Sequence, residues 1–341
     1  MLCYIFITKL IIYPLTANLF DDYGVFVSKK LLYLHLNYIR RLENSNLKTI
    51  ATIGTFDGLH TGHRRVLDLM KSLASQRRLR PLVVTFDRHP LETVAPERAP
   101  GLILNPSEKI DRLRKEGLEL NIIEFTPEIA SVSAREWMKK LRDEEGVKIL
   151  VVGYDNTFGC DGVNMSLSDI ERTGEELGIE VVEAPLENGV SSSAVRRLVS
   201  AGKMDEAETK LGRPFALSGK VVHGRALGRT IGFPTINVAP DYRACLPRPG
   251  VYEADALLED GRRFSAVVNV GSQPTVAAAA PVTVEAHLID FSGDLYDRKV
   301  TLRFKRFIRD EQRFPDLDSL RRQIERDVAE VEDSGIQLRN R

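Results

Sequence analysis

From Leu47 onward, short β-branched runs alternate with segments of helical spacing. This alternation confines the first half of the chain to an α/β layer with a mostly parallel sheet. Thr49–Ile53 reads as a strand, 54–62 as a glycine-rich loop, and Val66, Leu69, Met70 and Leu73 follow at helical spacing. Residues 81–86 read as a second strand and 149–152 as a third, entered from a helix over about 134–145; 181–184 make a fourth. Ligands of such sheets sit beyond the carboxyl ends of the strands, where both the glycine loop and the loop after Gly153 fall.

Beyond residue 190 the pattern changes. Residues 191–211 read as a helical hairpin or connector, broken at Gly202. After Phe215, short apolar runs separated by glycine and proline (219–222, 250–257, 264–270, 282–290, 299–304) read as an antiparallel barrel or sandwich. A charged helix over about 317–331 closes the chain. The expected division is an extension over 1–34, an α/β domain over 35–200, a connector over 201–214 and a β domain over 215–341. Few contacts are expected to cross the connector. The apolar stretch from Cys3 to Leu15 is interrupted by Lys9 and Pro14 and is shorter than the ~20 residues of a membrane span. It lacks the basic flank and small-residue cleavage site of a secretory signal. It therefore reads first as an extension with little part in the fold, ahead of a membrane-associating segment or a signal.

Lysine plus arginine and aspartate plus glutamate number 48 each, so no net field attracts a polyanion. Neither nucleic acid nor a membrane is an expected partner, and a phosphate-bearing ligand must be held by local devices. Cys3, Cys160 and Cys245 stand singly. That argues against a disulfide framework or a cysteine-rich zinc site, and for a reducing, cytoplasmic compartment.

The string Gly54-Thr55-Phe56-Asp57-Gly58-Leu59-His60-Thr61-Gly62-His63 joins the first strand to its helix. Glycines allow close backbone approach to a phosphate, and the helix aims free N–H groups and its positive dipole end at the same place. His60 and His63, three apart at the helix mouth, can both face that ligand. Taken alone, such a pair is more often a solvated surface turn, and no neighbouring Glu or Cys makes it a zinc site. As a whole, the string resembles the G-x-F-D-G-x-H-x-G-H signature of the prokaryotic bifunctional riboflavin kinase/FMN adenylyltransferases (FAD synthetases). The resemblance continues in order through Phe86-Asp87-Arg88-His89-Pro90, Gly153-Tyr154-Asp155-Asn156-Thr157-Phe158-Gly159 and Ser191-Ser192-Ser193-Ala194-Val195-Arg196. It implies a Rossmann-like nucleotidyltransferase domain over 35–200, in which the FMN phosphate attacks the α-phosphorus of ATP. It further implies that His60, His63 and Arg196 are catalytic, and that Ser191 and Ser192 help Arg196 grip the triphosphate. Gly54, Phe56, Asp57, Gly58, Gly62 and Asp155 complete the implied nucleotide and phosphate site. Arg88, Asn156, Thr157 and Ser193 depart from the family pattern. The Asn156 and Thr157 changes remove a stacking surface and a charge, and bear on FMN affinity more than on ATP handling.

In the second half, Gly224, Gly228 and Gly232 recur every four residues with Arg225 and Arg229 between them. On their own they divide evenly between a turn-rich segment and a phosphate loop, and no G-K-[ST] makes them a P-loop. The following Pro234-Thr235-Ile236-Asn237 resembles the riboflavin kinase P-T-x-N motif, and blocks at 250–252, 269–275, 284–291, 294–296 and 307–309 keep that family's order. The resemblance implies a small antiparallel β-barrel riboflavin kinase domain. Glu285 is then the general base for the ribityl hydroxyl, and Thr235 and Asn237 ligate Mg²⁺. Gly224, Gly228, Arg229, Gly232 and Asn269 serve the nucleotide. By strand alternation alone, Glu285 reads first as an ordinary outward-facing position, and only the resemblance makes the base the preferred reading. Val276 and the alanines after it stand where the family has an aromatic, and bear on riboflavin contact.

The function so implied is phosphorylation of riboflavin to FMN and adenylylation of FMN to FAD, with ATP as co-substrate and Mg²⁺. Two alternatives stay open: a riboflavin kinase with a weakened or altered nucleotidyltransferase domain, and a non-catalytic flavin- or nucleotide-binding protein. Oligomeric state has no signal in the sequence.

Overall fold

The computed structural model describes residues 48–154, 157–224, 227–272 and 282–339. The readings on 1–34, Asp155, Asn156, Arg225 and Val276 lie outside them. Strands β1 (Thr49–Ile53), β2 (Arg80–Phe86), β3 (Glu119–Ile123), β4 (Val147–Val152) and β5 (Glu180–Glu183) form a parallel sheet in the order β3-β2-β1-β4-β5. Central β1 is buried along its whole length, which is why it reads as unbroken apolar and β-branched sequence. Alternate residues feed the two faces. Ile50, Val83, Ile149 and Val151 pack with Val66, Leu67 and Met70 of helix α1 (Thr61–Arg77) and Leu113 of α2 (Pro106–Lys115). Ala51, Ile53, Val84, Leu150 and Val152 meet Trp137, Met138 and Leu141 of α3 (Ala134–Glu145). The α3 boundaries follow from local chemistry: Ser133 and Glu136 form a capping box, and Gly146 ends the helix in the left-handed region at φ 65°.

Six strands close the second module into an antiparallel barrel, in the order β10-β7-β6-β11-β8-β9. They are β6 (Phe215–Val222), β7 (Ile236–Ala239), β8 (Gly250–Leu258), β9 (Arg263–Ser272), β10 (Val282–Leu288) and β11 (Lys299–Arg309). Its interior mixes large side chains (Phe215, Tyr252, Phe304) with small ones (Ala254, Ala256, Ala266, Ala286). That mixture lets a narrow barrel fill without voids.

Two strands escape the sequence pattern. β3 is an edge strand whose residues are all only half-buried, so Glu119 and Asn121 break any apolar run. β7 has only four residues and is bounded by Pro234 and Pro240.

The connector needs correction. Helices α4 (Ser192–Ser200) and α5 (Met204–Leu211) do form the expected hairpin about Gly202. However, Val195, Val199, Met204, Ala207 and Leu211 belong to the same buried cluster as the barrel interior, together with Ile103 from the first half. Each large apolar side chain so buried contributes about 1.5–3 kcal/mol, so many contacts cross the connector, not few. The described residues from Lys48 onward accordingly form one compact unit.

Candidate active sites

A cleft of about 1020 Å³ opens beyond the carboxyl ends of β1, β2 and β4. Among the residues singled out in the sequence, Gly54, Phe56, His60, Gly62, His63, Ser191 and Ser192 line it. Its rim carries four exposed apolar side chains: Val94, Tyr154, Val163 and Leu186. An exposed large apolar group clustered at a cleft is an unusual use of surface, and suits a flat aromatic ligand.

The loop between β1 and α1 is held in a strained form. Phe56 (φ 51°) and Leu59 (φ 41°) lie in the left-handed region, alongside Gly58 (φ 84°). Non-glycine residues there cost about 1–2 kcal/mol each, and persist only where surroundings fix them. Side chains from elsewhere fix the carbonyls. Lys109 Nζ donates to Thr55 O (3.0 Å), Ser192 Oγ to Asp57 O (2.8 Å), and Arg213 to Gly58 O (2.7 Å) and Leu59 O (3.3 Å). In a trans peptide the following N–H points opposite to the carbonyl. Drawing these carbonyls to outside donors thus fixes the rotation of the same peptides, and the Leu59 N–H is closed within the loop on Phe56 O at 3.3 Å.

His60 caps α1, its Nδ1 accepting the His63 backbone N–H at 3.2 Å. The proton of the neutral ring is therefore on Nε2. The two imidazoles stack at 3.7 Å, 15° apart. Burial, helped by the Arg213 guanidinium and opposed by Glu187, pulls His60 down to about 4. Burial also holds His63 well below the usual histidine range, with His60 and Lys109 adding to the effect. His63 Nδ1 is sealed without a hydrogen-bond partner among the described residues. Near neutral pH both rings offer N–H dipoles rather than charge.

This has a measurable consequence for stability. The folded value near 4 lies below the ordinary 6.5, so the stability tied to neutral His60 is intact above pH 6.5 and is lost as pH falls toward 4. At about 1.4 kcal/mol per pH unit, His60 costs the fold about 2 kcal/mol at pH 5. His60→Asn keeps an acceptor for the cap but takes no proton. It is expected to reduce the fall in Tm between pH 6.5 and 5, and an unchanged fall would show that His60 does not carry it.

Other expected groups are engaged differently. Arg196 donates to Gly101 O (2.9 Å) and pairs with Asp57, the carboxylate buried and the guanidinium half-buried. The Asp57 carboxylate also accepts the N–H groups of Ile103 (3.0 Å) and Leu104 (3.3 Å). Burial raises the Asp57 carboxyl, while Arg196 and these N–H groups act against it. Asp57, Gly58 and Arg196 do not line the cleft; the fork expected to grip a triphosphate is spent on compensating a buried carboxylate. The hydroxyls of Ser191 and Ser192 are likewise occupied, Ser191 capping α4 by accepting the Ala194 N–H at 3.1 Å. These serines set the end of α4 against the cleft. The sequence motifs single out neither Lys109 nor Arg213. Lys109 stands four residues before buried Leu113 on α2, and that spacing could have flagged it; Arg213 has no local signal.

The second cluster lies on the outside of the barrel. Register pairs Glu285 on β10 with Asn237 on β7 and with Asn269 on β9, so the three form a row across adjacent strands. Val284, Ala286 and Leu288 point into the core, leaving half-buried Glu285 on the outer face. The bland reading of its orientation is thus correct, but its neighbours are two amides rather than a random surface. The segment after β6 folds over this row. Gly224 lies so close that a Cβ there would be 2.1 Å from Asn237 Nδ2. His287 Nδ1 meets Pro234 O at 2.8 Å, and Phe233 packs edge-on against the His287 ring. Thr235 precedes β7, Gly228 and exposed Arg229 lie on the short helix α6 (Leu227–Thr230), and Gly232 follows it. Among the described residues, no three His, Cys, Asp or Glu side chains gather into a metal cage. Hard oxygens from Thr235 and Asn237 suit an ion that arrives with nucleotide phosphates and keeps its waters.

Comparison with known proteins separates along the same two regions. Residues 42–194 match the FAD synthetase family and residues 211–334 the riboflavin kinase family. The bifunctional riboflavin kinase/FMN adenylyltransferase of Pseudomonas fluorescens is 38% identical over 297 residues, covering 85% of this chain and 94% of that protein. Its counterpart in Escherichia coli K12 is 38% identical over 284 residues (82% and 90%), and that of Bacillus subtilis 30% identical over 305 residues (87% and 96%). A crystal structure titled as a macrolide-efflux protein from Streptococcus pneumoniae superposes with a TM-score of 0.75 at 31% identity, covering 84% of this chain and 94% of that one. No helix among the described residues is long and apolar enough to cross a membrane. With both catalytic families present in order, and relatives matched over nearly their whole length, the chain belongs to the bifunctional riboflavin kinase/FMN adenylyltransferases.

Proposed function

We propose that the chain's two activities are carried by two separate sites. FMN adenylylation belongs to the cleft of the parallel sheet, and riboflavin phosphorylation to the outer face of the barrel. The observation that carries the division is that each half assembles its own cluster, His60 with His63 and Glu285 with Asn237 and Asn269. In the cleft, an FMN phosphate oxygen bonds to the α-phosphorus of ATP as the bond to pyrophosphate breaks, with no covalent enzyme intermediate. His60 and His63 donate N–H bonds to the phosphate oxygens as charge builds, aided by the 54–62 loop and the N-terminus of α4. Asp57 and Arg196 hold the loop rather than the nucleotide, and Gly54, Phe56 and Gly62 shape its floor. The apolar rim covers the flavin ring.

On the barrel, Glu285 takes the proton of the ribityl hydroxyl as that oxygen bonds to the γ-phosphorus and ADP leaves. Thr235 and Asn237 would hold Mg²⁺, which when bound neutralises charge on the phosphates. Gly224, Gly228, Arg229, Gly232 and Asn269 serve the nucleotide. A cytoplasmic setting, with ATP at hand, is supported by the free thiols of Cys160 and Cys245. Incubation of riboflavin with ATP and Mg²⁺ followed by chromatography is expected to yield FMN and then FAD. FMN alone would mean a weakened adenylyltransferase, and unchanged riboflavin would refute catalysis.

A further inference from the structure

We infer that Arg213 is a positioning residue for adenylyl transfer, supplied to the cleft by the segment that opens the kinase barrel. The residue lies two positions before β6 and within the stretch that matches the riboflavin kinase family. Yet its guanidinium reaches back to the glycine loop of the other activity, with Nη2 on Gly58 O at 2.7 Å and Nη1 on Leu59 O at 3.3 Å. Nη1 also meets Leu211 O at 3.3 Å, which anchors the fork to the end of α5. Gly58 and Leu59 both have positive φ, and Leu59 is the residue before His60. One planar group spanning two successive carbonyls fixes the rotation of both peptides, and so the direction in which the chain enters the His60 cap.

A second tie from the barrel supports the same loop. Leu102 and Ala244 form a bridge, with Leu102 N on Arg243 O (2.7 Å) and Cys245 N on Leu102 O (2.8 Å). A Cβ at Gly101 would sit 2.6 Å from Ala244 O, so the approach admits no side chain. The next residues, Ile103 and Leu104, supply the N–H groups that hold Asp57 at the centre of the loop. The barrel thus braces the adenylyl transfer loop on two sides, and Arg213 is the brace nearest the histidines. The charged and titratable groups around His60 are Arg213, Arg196, Glu187 and His63, and Arg213 is the strongest of the two cations that keep its ring neutral.

This inference rests on the cleft being the adenylyl transfer site, and the test separates the two. Arg213→Met and Arg213→Lys are made in the full chain, with His60→Ala assayed beside them. Misplacing a group by about 1 Å can cost about 100-fold, so Arg213→Met is expected to lower kcat for FMN-to-FAD conversion about 10- to 100-fold. KM for FMN and ATP should move less, by about threefold at most, and riboflavin phosphorylation should stay within about twofold. The His60 titration, followed by NMR, is expected to move up toward the ordinary histidine range in Arg213→Met and to stay low in Arg213→Lys. Lysine keeps the charge but reaches one carbonyl, for a loss of about 10-fold in kcat. If Arg213→Met does not melt cooperatively, Arg213→Lys decides: a loss confined to adenylyl transfer supports the assignment, and an unchanged kcat overturns it. Equal loss of both activities in either folded variant also overturns it. If His60→Ala itself leaves FAD formation intact, the cleft assignment has failed first and takes this inference with it.

Discussion

Replacing Glu285 by Gln is expected to slow formation of FMN from riboflavin by about 10²- to 10⁴-fold, the usual worth of a positioned acid or base. The substitution keeps size and hydrogen-bonding shape while removing the proton acceptor, so the barrel should be undisturbed. Val284 and Ala286, the neighbours of Glu285 in sequence, point inward and fill the core independently of it. FMN supplied directly should still become FAD at the rate of the unaltered protein, because no cleft residue lies on β10. Separate assays with riboflavin and with FMN check both halves of this expectation. Loss of FMN formation by less than about threefold would return Glu285 to the ordinary outward-facing strand position.

His63→Ala is expected to do the reverse, lowering FMN-to-FAD conversion by about 10²- to 10³-fold, the cost of deleting a preorganised donor to developing charge. The His63 ring stacks on His60 and lies 5.1 Å from Phe56, so it both contacts the cleft and orders its partner. Riboflavin phosphorylation should be unaffected, and FMN should accumulate. Because burial keeps both imidazoles neutral, the donor role does not depend on a protonated histidine. Adenylyl transfer should therefore not decline between pH 6.5 and 8. A rate that fell tenfold over that range would indicate that an imidazolium is required.

Much of this arrangement is local, and the local part is legible in sequence. Strand β1, the glycine loop and helix α1 follow from β-branched burial, glycine spacing and the helical spacing of Val66, Leu69, Met70 and Leu73, all within one short stretch. Helix α3 is written out by Ser133, Glu136 and Gly146. The row of Glu285, Asn237 and Asn269 is not visible as geometry, because strand register joins residues far apart in the chain; only the motif resemblance grouped them. What resists sequence reading is long-range compensation. Arg196 carries the chemistry of a phosphate ligand, but a buried carboxylate at Asp57 claims it from 139 residues away. Arg213 meets Leu59 across 154 residues, with no periodicity to announce it. The connector fails for the same reason: Val199, Met204 and Leu211 look like the apolar face of a free-standing hairpin until the barrel covers them.

The central claim, two separate sites whose reactions are linked by FMN, is tested most directly by mixing the two crippled proteins. Glu285→Gln alone, given riboflavin, ATP and Mg²⁺, should leave the flavin largely unphosphorylated; His63→Ala alone should stop at FMN. Combined in one tube, they are expected to produce FAD, since FMN released by one protein enters the intact cleft of the other. FAD no higher in the mixture than in either protein alone, with both folded, would contradict two separable sites.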